Sequence, residues 1–310
     1  LTALPSERML SRRDPWVNML RQTATSFAAL VGGADAVGAV AFDTRLESAS
    51  ELGRRVARNT PIILDEESHL ARVADPAAGS WFLDQLTRDV ADAAWGFFQE
   101  IEAEGGLVAT MKSGWLLERL VAKQDERAAR VARRKQPRTG VSEFANVAEK
   151  LPASVAAMAI AGGDAWPRHG FDDAFEELRA AADRHAIAHP RPRVFLARSG
   201  KPAGYSARET WLVNLVAAAG IEAVLGDPDG DAGNEFVASG AATAILTADD
   251  EALAAKGPEL AADLGRFGTV WAAGRPTDAL AEAGVGNFVH IGIDVVDALG
   301  ELLAEQGVER

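Results

Sequence analysis

The side chains able to do chemistry are few and scattered. Five histidines, His69, His169, His185, His189 and His290, are the first candidates for metal ligation or proton transfer. None falls in a metal-ligand spacing such as HExxH. His185 and His189 are four residues apart, so they could share one helix face as ligands or stand as a solvated helix end before Pro190. His290 lies in an apolar run and reads as a packed residue of a strand rather than a ligand. Asp65, Glu66 and Glu67 form an acidic run. Paired carboxylates can do acid–base work, but adjacent helical residues point in different directions, which favours a solvated or salt-bridged face. Arg127, Arg130, Arg133, Arg134, Lys135 and Arg138 could meet a phosphate. They suit equally a helix C-terminus, where cations offset the macrodipole. The run Asp227-Pro228-Asp229-Gly230-Asp231 resembles part of a calcium loop without its closing glutamate, and a turn accounts for it better.

The elements that must position any site begin at Arg193–Asn214. Val194–Ala197 reads as a buried strand, Ser199–Ser206 as a Gly/Pro loop, and the residues from about Ala207 as an amphipathic helix. In open parallel sheets the ligand sits past the carboxyl ends of the strands, at the topological switch point. This loop is therefore where the chemistry is expected. It holds Lys201, Tyr205 and the glycines Gly200 and Gly204, but no His, Cys or carboxylate. The glycines could cradle a phosphate against the helix N-terminus, yet the loop matches neither GxGxxG nor a P-loop. Alternation continues downstream, with strands expected at Arg193–Arg198, Glu222–Leu225, Ala242–Leu246, Thr269–Ala273 and Phe288–Gly292. Helices are expected at Ala207–Ala219, Asp231–Ser239, Asp249–Leu264, Thr277–Ala283 and Asp294–Gln306. Five strands with intervening helices suit a flavodoxin-like doubly wound sheet.

Upstream the pattern differs. Asp14-Pro15 marks a helix start that Gly32-Gly33 stops. Ala36–Phe42 is apolar and uncharged, which predicts a strand buried on both faces with Ala39 at its centre. Only helices follow: from Ser50, from Thr60-Pro61, over Trp81–Glu104 after the loop Asp75–Ser80, and from Ser113-Gly114 to about Arg134. The lone strand has no visible partner. Unpaired buried backbone groups cost about 1–3 kcal/mol each, against roughly 5–15 kcal/mol for a whole domain. This half is therefore expected to end a larger α/β unit whose earlier strands lie outside the chain. Residues 136–192 read as a connector, Ala-rich over Ser154–Gly163, irregular at Gly162-Gly163 and Trp166-Pro167, and helical over Phe171–His185.

Composition bounds the function. The 310 residues are enough for two domains, and 48% apolar content supports real cores. A net charge of -13 argues against a nucleic-acid partner. With no cysteine there are no disulfides, thiolate chemistry or Cys-based metal sites, which agrees with a cytoplasmic location. No apolar run reaches the roughly 18 residues of a membrane span. The chain begins with Leu and reads as a fragment or a processed product.

Six segments, in order, resemble the methylmalonyl-CoA mutase family: Ser11–Thr23, Gly32–Asp43, Arg54–Trp81, Ala91–Gly106, Arg134–Val147 and Ile291–Leu303. The Arg-Asn-Thr at Arg58–Thr60 and the loop Asp75–Ser80 are the most specific of them. The resemblance implies an α/β chain with three parts. Residues 1–135 would be the end of an acyl-CoA-binding (β/α)8 TIM barrel, with Ala36–Phe42 its last strand. Residues 136–192 would be a linker, and 193–310 a flavodoxin-like, cobalamin-binding-like domain. Catalytic members carry Asp-x-His-x-x-Gly after the first strand of that domain, the His being the lower cobalt ligand. Here Pro202, Gly204 and Ala207 stand at the three positions. Thr247 and Gly274 fall where the nucleotide tail of cobalamin would be held. This departure is similar to the small, beta subunit of heterodimeric mutases. The resemblance thus implies a non-catalytic chain with no catalytic, cofactor-binding or metal-binding residue of its own. Adenosylcobalamin would be bound by a large catalytic partner subunit, and the acyl-CoA would be met only through the complex. Two other readings stay open: an enzyme using Lys201, Tyr205 or Arg208 on a cofactor, and a stand-alone regulatory or binding module.

Overall fold

The structure, a computed structural model, describes residues 1–46, 48–151 and 170–309. The Ala-rich stretch Ser154–Gly163, the irregular Gly162-Gly163 and Trp166-Pro167, and His169 lie outside the described residues. The chain divides into two compact units.

The first unit comprises Leu1–Glu7, Asn18–Thr44 and Ser48–Ala129. It contains β1 (Thr2–Ala3), most of α1 (Pro15–Val31), β2 (Ala36–Val37), α2 (Glu51–Ile62), α3 (Trp81–Ala103), α4 (Leu107–Ser113) and most of α5 (Trp115–Ala132). The long buried strand expected at Ala36–Phe42 is corrected here. Only Ala36–Val37 are strand, and they pair in parallel with Thr2–Ala3. Ala39 is half-buried, and only Ala41 and Phe42 are buried. The ladder ends early because Pro5, just beyond β1, has no N–H to lend. The backbone burden inferred from an unpartnered strand is therefore much smaller than expected.

Local chemistry explains the helix ends. Pro15 opens α1, and the Ser50 side chain caps α2 by accepting from Gly53 N at 2.9 Å. Pro61 does not begin a new helix. It sits inside α2, which runs on into a π-helical turn, Ile63–Glu67, closed by Ser68 N donating to Ile63 O at 2.9 Å. Ser80 caps α3, as the loop before it suggests. Gly114, at φ 85°, separates α4 from α5, so α5 starts where Ser113-Gly114 predicts, while the short α4 before it is not anticipated.

The second unit comprises Arg8–Val17, the turn at Arg45 and the chain from Arg130 onward. Its sheet contains β3 (Arg193–Arg198), β4 (Glu222–Leu225), β5 (Thr243–Thr247), β6 (Thr269–Ala273) and β7 (Asn287–Val289), all parallel, in the order β4-β3-β5-β6-β7. Between them run α7 (Pro202–Ala217), α8 (Ala232–Ser239), α9 (Asp250–Leu264) and α10 (Asp278–Glu282); α6 (Asp173–His185) precedes β3 and α11 (Val295–Glu305) follows β7. Alternate strand residues face opposite sides. Val194, Leu196, Ile245 and Trp271 pack with Phe175, Leu212 and Leu299 from α6, α7 and α11. Phe195, Leu246 and Val270 pack with Phe236, Leu264 and Leu280 from α8, α9 and α10. The sheet is thus covered on both faces, as parallel strands require.

A buried ionic set ties Arg8–Val17 to α6. Glu176 accepts from Arg12 Nε at 2.8 Å, and Arg13 Nη2 donates to Asp183 at 2.7 Å. Burial pushes the Arg179 guanidinium down to about 10, with the charge of Arg13 adding to the effect and Glu149 opposing it. Burial likewise raises Glu149, against the backbone N–H of Asp14 and the charges of Arg179 and Arg13.

Candidate functional site

The carboxyl ends of the strands form the crest of the sheet, and the switch point lies between β3 and β5, beside β4. The sequence places a loop at Ser199–Ser206, but the loop is shorter than expected. Gly200 turns the chain at φ 86°, Lys201 is the N-cap, and Pro202 already opens α7. A proline is well suited to that position because its missing N–H has no partner in a first turn. Lys201 and Pro202 are exposed, whereas Tyr205 is buried within the helix. Lys201 and Tyr205 are therefore not brought together in a pocket.

The position that would carry a cobalt-ligating His is Gly204, in the first turn of α7. A Cβ there would lie 2.3 Å from Asp249 Oδ2 and 3.1 Å from its Cγ. Asp249 is fixed in place, since its Oδ1 caps α9 by accepting from Ala252 N at 2.8 Å. Pro202 offers no side-chain acceptor to orient a ligand. The residues present do not fit a cobalt-ligating loop. Thr247, at the end of β5, is fully buried and donates its hydroxyl to Ile245 O at 3.0 Å. Gly274, by contrast, borders open space.

Two arginines occupy the crest. Arg198, at the end of β3, donates Nε to Gly226 O beyond β4 and Nη1 to Glu209 at 3.2 Å, with its guanidinium 5.5 Å from the Tyr205 ring centroid. Arg208, from α7, donates Nη1 to Ala248 O beyond β5 and to Ala273 O of β6 at 2.9 Å, and pairs through Nη2 with Asp250. The carbonyls at the ends of three strands are thus satisfied from within the chain, where a ligand would ordinarily supply donors. Sequence reasoning weighed Arg208 only as a cofactor contact and passed over Arg198. The signal that could have marked both is their spacing: one closes the first strand and the other stands two turns into the helix after it.

Beside this plugged switch point lies a cleft of about 880 Å³ over the ends of β6 and β7. Trp211 of α7, Leu253 and Pro258 of α9, Leu280 of α10 and Val289 give it apolar walls, and Arg275 and His290 stand at its border. The expectation that His290 lies inside the last strand is corrected: β7 ends at Val289, and His290 follows it with Nδ1 3.0 Å from Ile291 O.

The other candidates do not converge. The His185 and His189 rings stack, with centroids 4.6 Å apart. Lone pairs lie in the ring planes, so stacked rings do not aim at a common metal. Asp65, Glu66 and Glu67 lie in the π-helical turn of the first unit, with His69 just beyond it. Arg134 and Arg138 are held by Glu143 and Asp172. Among the described residues no group of three or more His, Cys, Asp or Glu could hold a metal ion, and no helix is long and apolar enough to cross a membrane.

Comparison with known proteins accords with the segments singled out above. The family pattern of methylmalonyl-CoA mutase matches residues 2–181. The methylmalonyl-CoA mutase small subunit of Streptomyces virginiae is 44% identical over 313 residues, covering 99% of this chain and 50% of that protein. The probable methylmalonyl-CoA mutase small subunit of Mycobacterium bovis is 38% identical over 322 residues, covering 99% and 50%. The small subunit from Propionibacterium freudenreichii subsp. shermanii is 35% identical, covering 99% and 49%. The chain spans about half the length of the curated relatives it matches. Among solved structures, a CheY-like protein from Pseudomonas aeruginosa aligns at 21% identity with a TM-score of 0.29, over 38% of this chain and 96% of that one. The chain is an α/β protein with parallel sheets that belongs to the methylmalonyl-CoA mutase family.

Proposed function

We propose that this chain is the C-terminal portion of a mutase small subunit and acts as a structural, non-catalytic partner of a large subunit. The large subunit would bind adenosylcobalamin and, in the heterodimer, interconvert methylmalonyl-CoA and succinyl-CoA. Residues 1–135 would be the end of an acyl-CoA-binding (β/α)8 barrel, 136–192 a linker, and 193–310 a flavodoxin-like domain of the cobalamin-binding type that has lost its ligand. The complex would be cytoplasmic, with no nucleic-acid or membrane partner.

One observation carries the reading. The position of the cobalt ligand is a glycine whose Cβ would press on the α9 cap, and the crest beside it is filled by Arg198 and Arg208. A chain built this way can keep its sheet folded with no ligand bound. The first unit adds support for an assembly. None of the 23 residues of α3 is buried, and Trp81, Phe82, Val90 and Trp95 are exposed. Apolar surface on that scale marks a face that further protein covers, either the earlier part of the barrel or a partner subunit.

The test is a spectral titration of the purified chain with adenosylcobalamin. No spectral change and no retained cofactor is the expected result. Saturable binding with a shift to histidine ligation would refute the structural role. It would favour the alternatives, a stand-alone binding or regulatory module derived from an acyl-CoA mutase or a mutase of a related acyl-CoA. Those alternatives also require activity without a longer partner.

A further inference from the structure

We infer that the cleft over β6 and β7 is a binding site for a small organic anion with an apolar body, such as an aryl carboxylate. Its size, about 880 Å³, lies in the range of small-molecule pockets. Its walls are apolar on two opposed helices, Trp211 on α7 and Leu253 and Pro258 on α9, so the body of a ligand would replace water on both sides. Its charges are unevenly committed. Arg208 and Asp250 neutralise each other, and Arg208 is further held by two carbonyls. Arg275 is exposed and forms no ion pair among the described residues. It is a free guanidinium beside an apolar cleft in a chain of net charge -13. Guanidinium forks pair with carboxylates by two parallel hydrogen bonds. His290 adds a second polar group. The Ile291 carbonyl can only accept, so the Nδ1 beside it carries the proton, and Nε2 of the neutral ring is left as an acceptor.

The cleft adjoins the switch point, since Arg208 and Asp250 form part of its wall. Its assignment goes beyond the structural role proposed above, and its test does not use cobalamin.

The probe is naphthalene-2-carboxylate, with naphthalene-2-carboxamide as its neutral counterpart, each titrated calorimetrically into the full chain. The expected result is one saturable site for the acid, with the amide at least about fivefold weaker. Arg275→Gln should bring the acid down to the affinity of the amide. Arg275 is exposed, so an unchanged melting temperature would show that folding is intact. Ala254→Trp, on the exposed rim of α9 that lines the cleft, should abolish binding of both compounds. The inference is overturned if neither compound binds saturably, if the amide binds as tightly as the acid, or if binding of the acid survives Ala254→Trp. Survival there would place the naphthyl group elsewhere, for example on the apolar face of α3.

Discussion

The packing of Gly204 against Asp249 can be measured directly. Replacing Gly204 with Ala puts a methyl group 2.3 Å from Asp249 Oδ2, more than 1 Å inside ordinary contact. Nothing in the backbone opposes the substitution, because Gly204 is helical and not at positive φ. The carboxylate must therefore rotate away, and the hydrogen bond from Ala252 N that caps α9 is lost. Loss of an Asp cap costs about 1 kcal/mol. Alanine over glycine returns at most about 1 kcal/mol in a helix interior, and less in a first turn. Gly204→Ala alone should thus destabilise by about 0.5 kcal/mol, and Asp249→Ala alone by about 1 kcal/mol. In the Asp249→Ala background the clash and the cap are both gone, so Gly204→Ala should become neutral or stabilising. The signature is this change of sign, a coupling of about 1 kcal/mol read from urea unfolding of the four proteins. Equal effects in both backgrounds, within about 0.3 kcal/mol, would refute the contact. They would also remove the argument that position 204 has no room for a ligating side chain. If the contact holds, Pro202→Asp combined with Gly204→His should still give no histidine-ligated cobalamin spectrum, because Arg208 continues to fill the crest.

Three further outcomes follow from the same geometry. Glu305 accepts from Trp271 Nε1 at 3.1 Å and from the Thr243 hydroxyl at 2.6 Å, and both donors are on buried residues. Glu305→Ala should cost about 2–4 kcal/mol in urea unfolding and Glu305→Gln less than about 1 kcal/mol. Burial holds Arg179 at about 10 in the folded chain, well below the ordinary guanidinium range that the unfolded chain keeps. The folded state therefore releases this proton first, the unfolded chain binds more protons between the two values, and the group's destabilisation is relieved as pH rises through that window. The stability of the native chain relative to Arg179→Met should climb there, by at most about 1.4 kcal/mol per pH unit. A flat or falling difference would contradict the burial cost. Finally, Trp81→Ser with Phe82→Ser on the uncovered side of α3 should reduce self-association by sedimentation with little change in melting temperature. A large loss of stability would mean that these side chains pack inside the unit.

The sheet of the second unit was legible because each strand is a short apolar run between turn residues. Val194–Ala197 and Val270–Ala273 face cores on both sides, so nothing polar interrupts them. Three of the five strands are bounded as expected, and β5 is displaced by one residue. The last strand was read too long, because Val289, His290 and Ile291 continue an apolar look past the point where pairing with Ala273 stops. The first unit was less legible for the same kind of reason. Ala36–Phe42 has the composition of a buried strand, yet its ladder partner is two residues long and is ended by Pro5. Pro61 was read as a start because proline favours first turns, whereas the π-helical turn after it lets the helix continue. Of the candidate site, the sequence shows the residue types at the crest but not their contacts. That Pro202 and Gly204 provide no ligand is written in the sequence. That Arg198 and Arg208 stand in for one is not, because their acceptors, Gly226 O, Ala248 O and Ala273 O, are main-chain atoms 28, 40 and 65 residues away.

These long-range bonds satisfy the crest of the sheet from within the chain. A parallel sheet ends in carbonyls that its own ladder does not use, and buried acceptors left open cost more than a made bond returns. A bound ligand or ordered water can satisfy them. In this chain two guanidinium groups do so, and their charges are balanced in place by Glu209 and Asp250. Undoing the arrangement takes more than a new ligand. Freeing the crest of Arg208 would leave Asp250 without its cation and two carbonyls without a donor, and placing a side chain at 204 would cost the α9 cap. A ligand-binding crest is therefore several simultaneous substitutions away, and each intermediate step is destabilising by itself. The cleft over β6 and β7 is a cavity that remains open at the crest beside Arg208 and Asp250.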